Sequence, residues 1–379
     1  MHHPAFAADV TRADLLAWYR ANRARSRELF DLVIPDAYFD RPIALRNPIV
    51  FYEGHLPAFS VNTLVKLTLH RKGIDEGLET LFARGIDPED ETAVRSPTDV
   101  WPSREEVQAY ARAADELVEE TLTEPSEAAF TILEHEAMHQ ETLLYLLHEM
   151  EHSKKRGDRL RVASDELREM TRHPTTRSQQ PATHNPVSIP AGKATLGAAE
   201  GFFGWDNEFS AHTVDVPSFT IDSHAVSNGE YLEYIRATGA KAPHFWARGE
   251  REWFWRGMFE MLPLPLDAPV YVTHDEASAY ARWKGARLPT EAEWHRAHEC
   301  GVPDLTGHGW EWTSTLFAPF PGFAAMPSYP QYSADFFDGA HYVMKGASPA
   351  TPRELIRPSF RNWFRPAYPY VYATFRCAR

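Results

Sequence analysis

Cysteine is nearly absent from this 379-residue chain, which holds only Cys300 and Cys377. Two thiols build neither a disulfide framework nor a thiolate metal cluster, and such scarcity suits a reducing cytoplasm. Basic residues are in deficit as well, with 39 Lys and Arg against 53 Asp and Glu and a formal charge of -14. That balance argues against nucleic acid and against an anionic membrane surface as partners, and favours small or zwitterionic molecules. No apolar run approaches the ~18 residues that a membrane span needs. The opening MHHPAFAADV has neither a basic nor an apolar leader region, so no secretory signal is expected, and His2 and His3 read as part of a terminal tail.

What the chain does have is histidine and tryptophan, 18 and 11 residues, within a composition of 43% hydrophobic and 24% charged residues. These proportions describe a globular protein, long enough for about two or three domains. A metal in such a cysteine-poor chain would be held through imidazole.

Residues 1–155 read as helical. Apolar residues recur at helical spacing from Asp14 to Leu32 and again from Gly54 to Leu69. Pro102 followed by Ser103-Arg104-Glu105-Glu106 is a capping box that starts a third helix, and a fourth runs from about Ser126 to about His152. Four helices of this kind suggest an up-and-down bundle. Residues 156–186 turn charged, polar and Pro-bearing, as an interdomain linker does. From 187 to 379 short β-like runs alternate with Gly, Pro, Asn and Asp, one helix is expected near 275–300, and nine of the tryptophans fall here. The fold class is therefore α+β, a helical bundle followed by a loop-rich domain.

The fourth helix carries LEHEAMHQETLLYLLHEMEH, with two histidine pairs spaced i, i+4: His135 with His139, and His148 with His152. Each pair shares a helix face, but the two faces are opposed. Ala128, Ile132, Leu143 and Leu146 share the face of His135 and His139, which places that pair inside the bundle. Glu141, Tyr145 and Glu149 surround the other pair, which is expected to face solvent. Two imidazoles on a buried face need partners, and a divalent metal serves both; the alternative is a pair of hydrogen-bonded core histidines. Glu141 lies about 240° round the helix from His135, so a third ligand has to come from elsewhere. His55, in FYEGHLPAF, is the best candidate, with a capping or core histidine as its alternative reading. His70, beside Arg71 and Lys72, reads as surface.

Taken together, HEAMHQET and the later strings AYARWKGARLPTEAEWHRA, GWEWTST, KGAS and RPSFRNWF resemble the ergothioneine-type sulfoxide synthases over nearly the whole chain. The resemblance implies a DinB-like four-helix bundle followed by a domain similar to the formylglycine-generating enzyme and C-type-lectin-like folds. It also implies a non-haem iron(II) enzyme that uses O2 to join a sulfur donor to the imidazole of hercynine, or, in the selenoneine synthase branch, selenium from a selenosugar. By the same resemblance His55, His135 and His139 are the iron ligands. The same resemblance makes Asn362 and Trp363 the candidates for contacting hercynine, by amide hydrogen bonding and by packing or cation–π attraction, with Arg357 and Arg361 able to fork its carboxylate; the alternative is that Trp363 and Phe360 are core aromatics.

Three departures qualify that picture. The stretch that carries a proton-donating tyrosine in the best-known relatives reads APFPGF here, with Phe320 at its position, so either Tyr329, Tyr332 or Tyr342 replaces it or the chemistry differs. The arginine-rich grip on γ-glutamylcysteine is not evident, which favours a smaller or different donor such as cysteine or a selenosugar. The segment between Trp294 and Gly309 is also shorter than in typical relatives. Formylglycine-generating chemistry needs paired cysteines, which Cys300 and Cys377 do not form. A thiol dioxygenase and a non-catalytic lectin-like binding module remain the alternatives.

Overall fold

The computed structural model describes residues 10–83, 101–158, 168, 170–171, 186–199, 201 and 203–379. His2, His3 and most of the expected linker lie outside them. Two compact units emerge: one of Met1–Arg168 with Pro327–Tyr329, the other of Glu169–Met326 with Pro330–Arg379.

The first unit is helical. Helix α1 (Arg12–Asp31) starts from a Thr11–Asp14 capping box, α4 (Arg104–Thr121) from the expected Ser103–Glu106 box, and α5 (Glu127–Glu149) from Ser126. Between them come α2 (Ile49–Ser60), a π-helix continuing it (Val61–Thr68), and the short α3 (Glu76–Leu81). Every residue of α2 is buried. Its charged residue Glu53 accepts hydrogen bonds from Arg104 and Gln108 of α4, each at 3.2 Å. Helix α1 meets α5 through a buried polar seam in which Arg23 pairs with Glu136 at 3.0 Å and Asn22 donates to the Leu133 carbonyl at 2.8 Å. Such partnered polar contacts fix helix register where apolar packing alone would tolerate sliding.

Two expectations are corrected here. The second helix starts at Ile49, not Gly54, because Pro48 is its N-cap and the apolar residues that follow are buried on every face, leaving no period to read. His55 therefore lies mid-helix, which removes its capping role. His148 is buried, not solvent-facing, and so are Glu141 and Tyr145, whose side chains hydrogen-bond to each other. A polar stripe can be interior when its members partner one another. His152 and His70 are exposed, as expected.

The second unit is loop-rich. Strands β1 (Pro186–Ile189) and β4 (Phe219–Asp222) pair antiparallel, as do β2 (Gly192–Leu196) and β3 (His212–Val216). Strands β5 (Trp246–Arg248), β6 (Trp253–Arg256) and β7 (Met261–Pro263) form a small sheet. The largest has the order β10-β9-β8-β11, with β8 Gly309–Leu316, β9 Tyr342–Ala347, β10 Asn362–Phe364 and β11 Ala373–Thr374. Helix α6 (Asn228–Thr238) precedes two more. The single helix expected near 275–300 is in fact α7 (His274–Trp283) and α8 (Glu291–Glu299), interrupted by Gly285 at φ 65° and by Pro289. The string RLPTEAEW is the start of α8: Thr290 caps it with Glu293, Arg287 grips that carboxylate at 2.6 and 2.7 Å, and Trp294 is fully buried. The Trp294 indole donates to Glu311 at 3.2 Å, and Arg376 holds Glu311 from the other side at 2.6 Å.

Ser103→Ala removes the hydroxyl that accepts the Glu106 amide. The expected cost is about 1 kcal/mol, read as a lowered urea midpoint with unchanged slope; an unmoved midpoint would show that α4 does not depend on its cap.

Candidate metal centre

Within the first unit, His55 of α2 faces His135 and His139 of α5. One ring nitrogen from each lies within 4.8 Å of the others. The ring centroids are 5.2 Å apart for His55 and His135, 5.0 Å for His55 and His139, and 4.5 Å for His135 and His139. The i, i+4 spacing on α5 puts two imidazoles on one face, and the close approach of α2 brings the third.

The surroundings are aromatic. Phe59 stacks on His135 with centroids 3.4 Å apart, Phe51 stacks on His55 at 5.0 Å, and Tyr52 lies 5.7 Å from His139. Burial pushes the His55 imidazole down to about 4. Burial first, with the neighbouring His55 and Arg46 acting in the same direction, holds His139 well below the ordinary histidine range. Neutral rings expose lone pairs, the state a metal ligand requires. His55 Nδ1 lies 2.8 Å from the Phe82 carbonyl, so Nδ1–H donates and Nε2 is left as the lone-pair nitrogen. His139 Nδ1 is buried with no hydrogen-bond partner. An orphaned imidazole nitrogen beside two convergent imidazole rings fits a divalent transition metal with open coordination positions.

Of the three replacement tyrosines expected from sequence, Tyr329 belongs to this unit. Its ring lies 6.0 Å from His135 and 5.1 Å from Phe59. Tyr332 stacks on Trp205 at 3.9 Å and Tyr342 on His274 at 3.7 Å, both in the second unit. Phe320 is a core side chain there, in the cluster of Ile189, Leu196, Trp294 and Leu305, with the Arg361 guanidinium 4.0 Å over its ring.

The proposed carboxylate fork is corrected. Arg357 is buried and grips Glu208 at 2.6 and 2.9 Å. Arg361 is buried against Glu291 at 2.9 and 3.1 Å and donates to the carbonyls of Asn207 and Ala318. A guanidinium removed from water needs a carboxylate of its own, and the chain supplies both. Trp363, on β10, is half-buried; it stacks on Phe317 at 4.2 Å and meets Tyr332 edge-on at 5.3 Å. The Asn362 side-chain oxygen accepts from the Trp363 amide at 2.9 Å. Sequence reading missed Tyr52, although FYEGH sets it three residues before His55 on the same helical face. It could not have found the Phe82 carbonyl, which no side chain announces.

A model of the sulfatase-modifying factor enzyme 1-like domain matches residues 171–301 and 295–379, more than half of the chain. The chain belongs to that family. It is also 28% identical to ergothioneine biosynthesis protein 1 of Schizosaccharomyces pombe, over 90% of this chain and 53% of that protein. Hercynine oxygenase of Mycobacterium tuberculosis is 33% identical over 48% of this chain and 57% of its own length. The formylglycine-generating enzyme of Streptomyces coelicolor is 31% identical over 36% and 52%. The resemblance to ergothioneine-type enzymes read from the motifs is thus matched by these relatives, of whose length the chain spans about half. Among the described residues no helix is long and apolar enough to cross a membrane.

The low His55 value has a definite thermodynamic sign. Above pH ~6.5 the ring is neutral folded and unfolded, and contributes no pH dependence. Between about 6.5 and 4 the unfolded chain takes up a proton that folded His55 refuses, so stability falls on acidification by up to ~1.4 kcal/mol per pH unit. His274, pushed by burial to about 4, acts in the same direction. Metal-free His55→Gln should therefore lose less stability than wild type between pH 7 and 4.5 in urea unfolding; parallel curves would contradict a buried neutral His55.

Proposed function

We propose that the chain is a non-haem iron(II), O2-dependent enzyme that forms a C–S or C–Se bond on the imidazole of hercynine. The observation that carries this reading is the convergence of His55, His135 and His139 in an aromatic, helix-walled site, in a chain similar to an ergothioneine biosynthesis protein and to hercynine oxygenases. The helical unit is read as DinB-like and the second unit as lectin-like in its loop architecture. Iron bound by three imidazoles would supply redox activation of O2 and a binding position for a thiolate or selenolate.

The chain's own residues have separable tasks. His55, His135 and His139 present ring nitrogens to the metal, and burial keeps His55 and His139 neutral. Phe51 and Phe59 clamp the His55 and His135 rings by stacking and help to keep bulk water from them. Tyr329 is, with Tyr52, a phenol beside the cluster, and takes the proton-donor task for which Phe320 has no hydroxyl. In the second unit, Trp363 offers an aromatic face to the fixed trimethylammonium and Asn362 an amide to the carboxylate of hercynine. For a sulfur donor the electrons balance as follows: the ring C–H and the S–H are lost, the C–S bond forms, one oxygen of O2 goes to sulfur and the other leaves as water.

Anaerobic loading with iron(II), then O2 with hercynine and, in parallel, cysteine, γ-glutamylcysteine or a selenosugar, tests the reading by product mass. One equivalent of iron and a hercynine-derived sulfoxide or selenoneine are expected, and His135→Ala or His139→Ala should abolish both. Absence of stoichiometric iron, or a sulfinic acid of the donor with hercynine untouched, would overturn the assignment. Tyr329→Phe should keep the iron and slow turnover by ~10²-fold; unchanged turnover would remove Tyr329 from proton transfer.

A further inference from the structure

His55 belongs to α2, yet its Nδ1 partner comes from the end of a different element. The Phe82 carbonyl, at the C-cap of α3, is one of the acceptors that a helix terminus leaves without an internal partner, and it takes the His55 N–H at 2.8 Å. The neighbouring residue makes this contact possible. A Cβ on Gly54 would lie 2.5 Å from the Phe82 ring, so that ring sits directly on the α2 backbone one residue before the histidine. Phe82 cannot swing away, being fully buried between Phe51 at 6.4 Å and Trp101 at 6.2 Å.

The short helix that carries this carbonyl is pinned in turn. Glu79, with its side chain fully buried, accepts from the amides of Ile74 and Asp75 at 2.6 and 3.2 Å. It also pairs with Lys66 of the π-helix at 2.9 Å, while Asn62 of that helix donates to the Glu79 carbonyl at 3.1 Å. Gly73 leaves room for the same carboxylate, which a Cβ there would meet at 2.2 Å. The π-helix thus continues α2 and also anchors α3, closing a loop of contacts from α2 back to its own histidine.

We propose that α3 is a positioning element for His55: the Glu79 anchor and the glycine at 54 seat Phe82 so that its carbonyl fixes one tautomer and ring orientation, aiming Nε2 at the metal. The proposal rests on the metal-centre reading, and general experience with such outer partners sets the expected size of the effect at about 10–100-fold in metal affinity.

Nitrogen-15 correlation spectra of the metal-free wild type read the tautomer directly. His55 is expected with a protonated-type Nδ1 and a lone-pair-type Nε2; the opposite pattern would overturn the proposal whatever the variants do. Gly54→Ala and Glu79→Gln are then titrated with Co(II) alone, with thermal unfolding and far-UV circular dichroism as checks on folding. Co(II) affinity ~10–100-fold below wild type in folded variants supports the role. Folded variants that match wild type within about two-fold would contradict it. If Gly54→Ala does not fold, Glu79→Gln, which lies away from the histidines, and the tautomer spectrum decide. A wild type that takes up no Co(II) would instead strike at the metal centre itself, and the tautomer result would still judge the His55–Phe82 contact.

Discussion

On the metal-centre reading, three imidazoles have to stay pointed at one another inside a helical unit, and the contacts around them answer to that requirement. A buried imidazole without partners costs free energy, and a charged one costs more. The chain meets the first cost with the His55–Phe82 hydrogen bond and leaves the His139 nitrogen orphaned. The second cost is avoided by deprotonation, since burial moves His55 and His139 below the range in which histidine takes up a proton. Aromatic stacking by Phe51 and Phe59 then limits how two of the rings can turn.

The second unit solves a different problem. It has little regular structure to hold its loops, and it fastens them with buried ion pairs: Arg357 with Glu208, Arg361 with Glu291, Arg376 with Glu311. Each guanidinium also reaches, or lies beside, groups distant in sequence, as Arg361 does with the Asn207 and Ala318 carbonyls. Pairs of this kind add little net stability over apolar packing, but losing one partner strands a buried charge, so they hold a loop in one arrangement. The motifs that most clearly announced this unit, RLPTEAEW and WEW, are parts of that fastening.

Features with a local physical signature were legible in the sequence. The Ser103 capping box, the i, i+4 pair on α5 and the polar turn chemistry after residue 186 each follow from spacing alone. Helix α2 was misplaced by five residues because amphipathic periodicity vanishes when every face is buried. His148 was misread because Glu141 and Tyr145 satisfy each other, and a sequence does not show which polar residues are partnered. Arg357 and Arg361 looked like free cations for the same reason. The Phe82 carbonyl had no signature at all, being backbone.

The central claim is that His55, His135 and His139 hold one metal ion. Crystals of the metal-loaded protein, with diffraction recorded on either side of the metal's absorption edge, locate that ion without reference to activity. The account predicts one strong anomalous peak within bonding distance of a nitrogen from each of the three histidines. A peak bonded to His135 and His139 but not His55, or a peak elsewhere in the molecule, would contradict it.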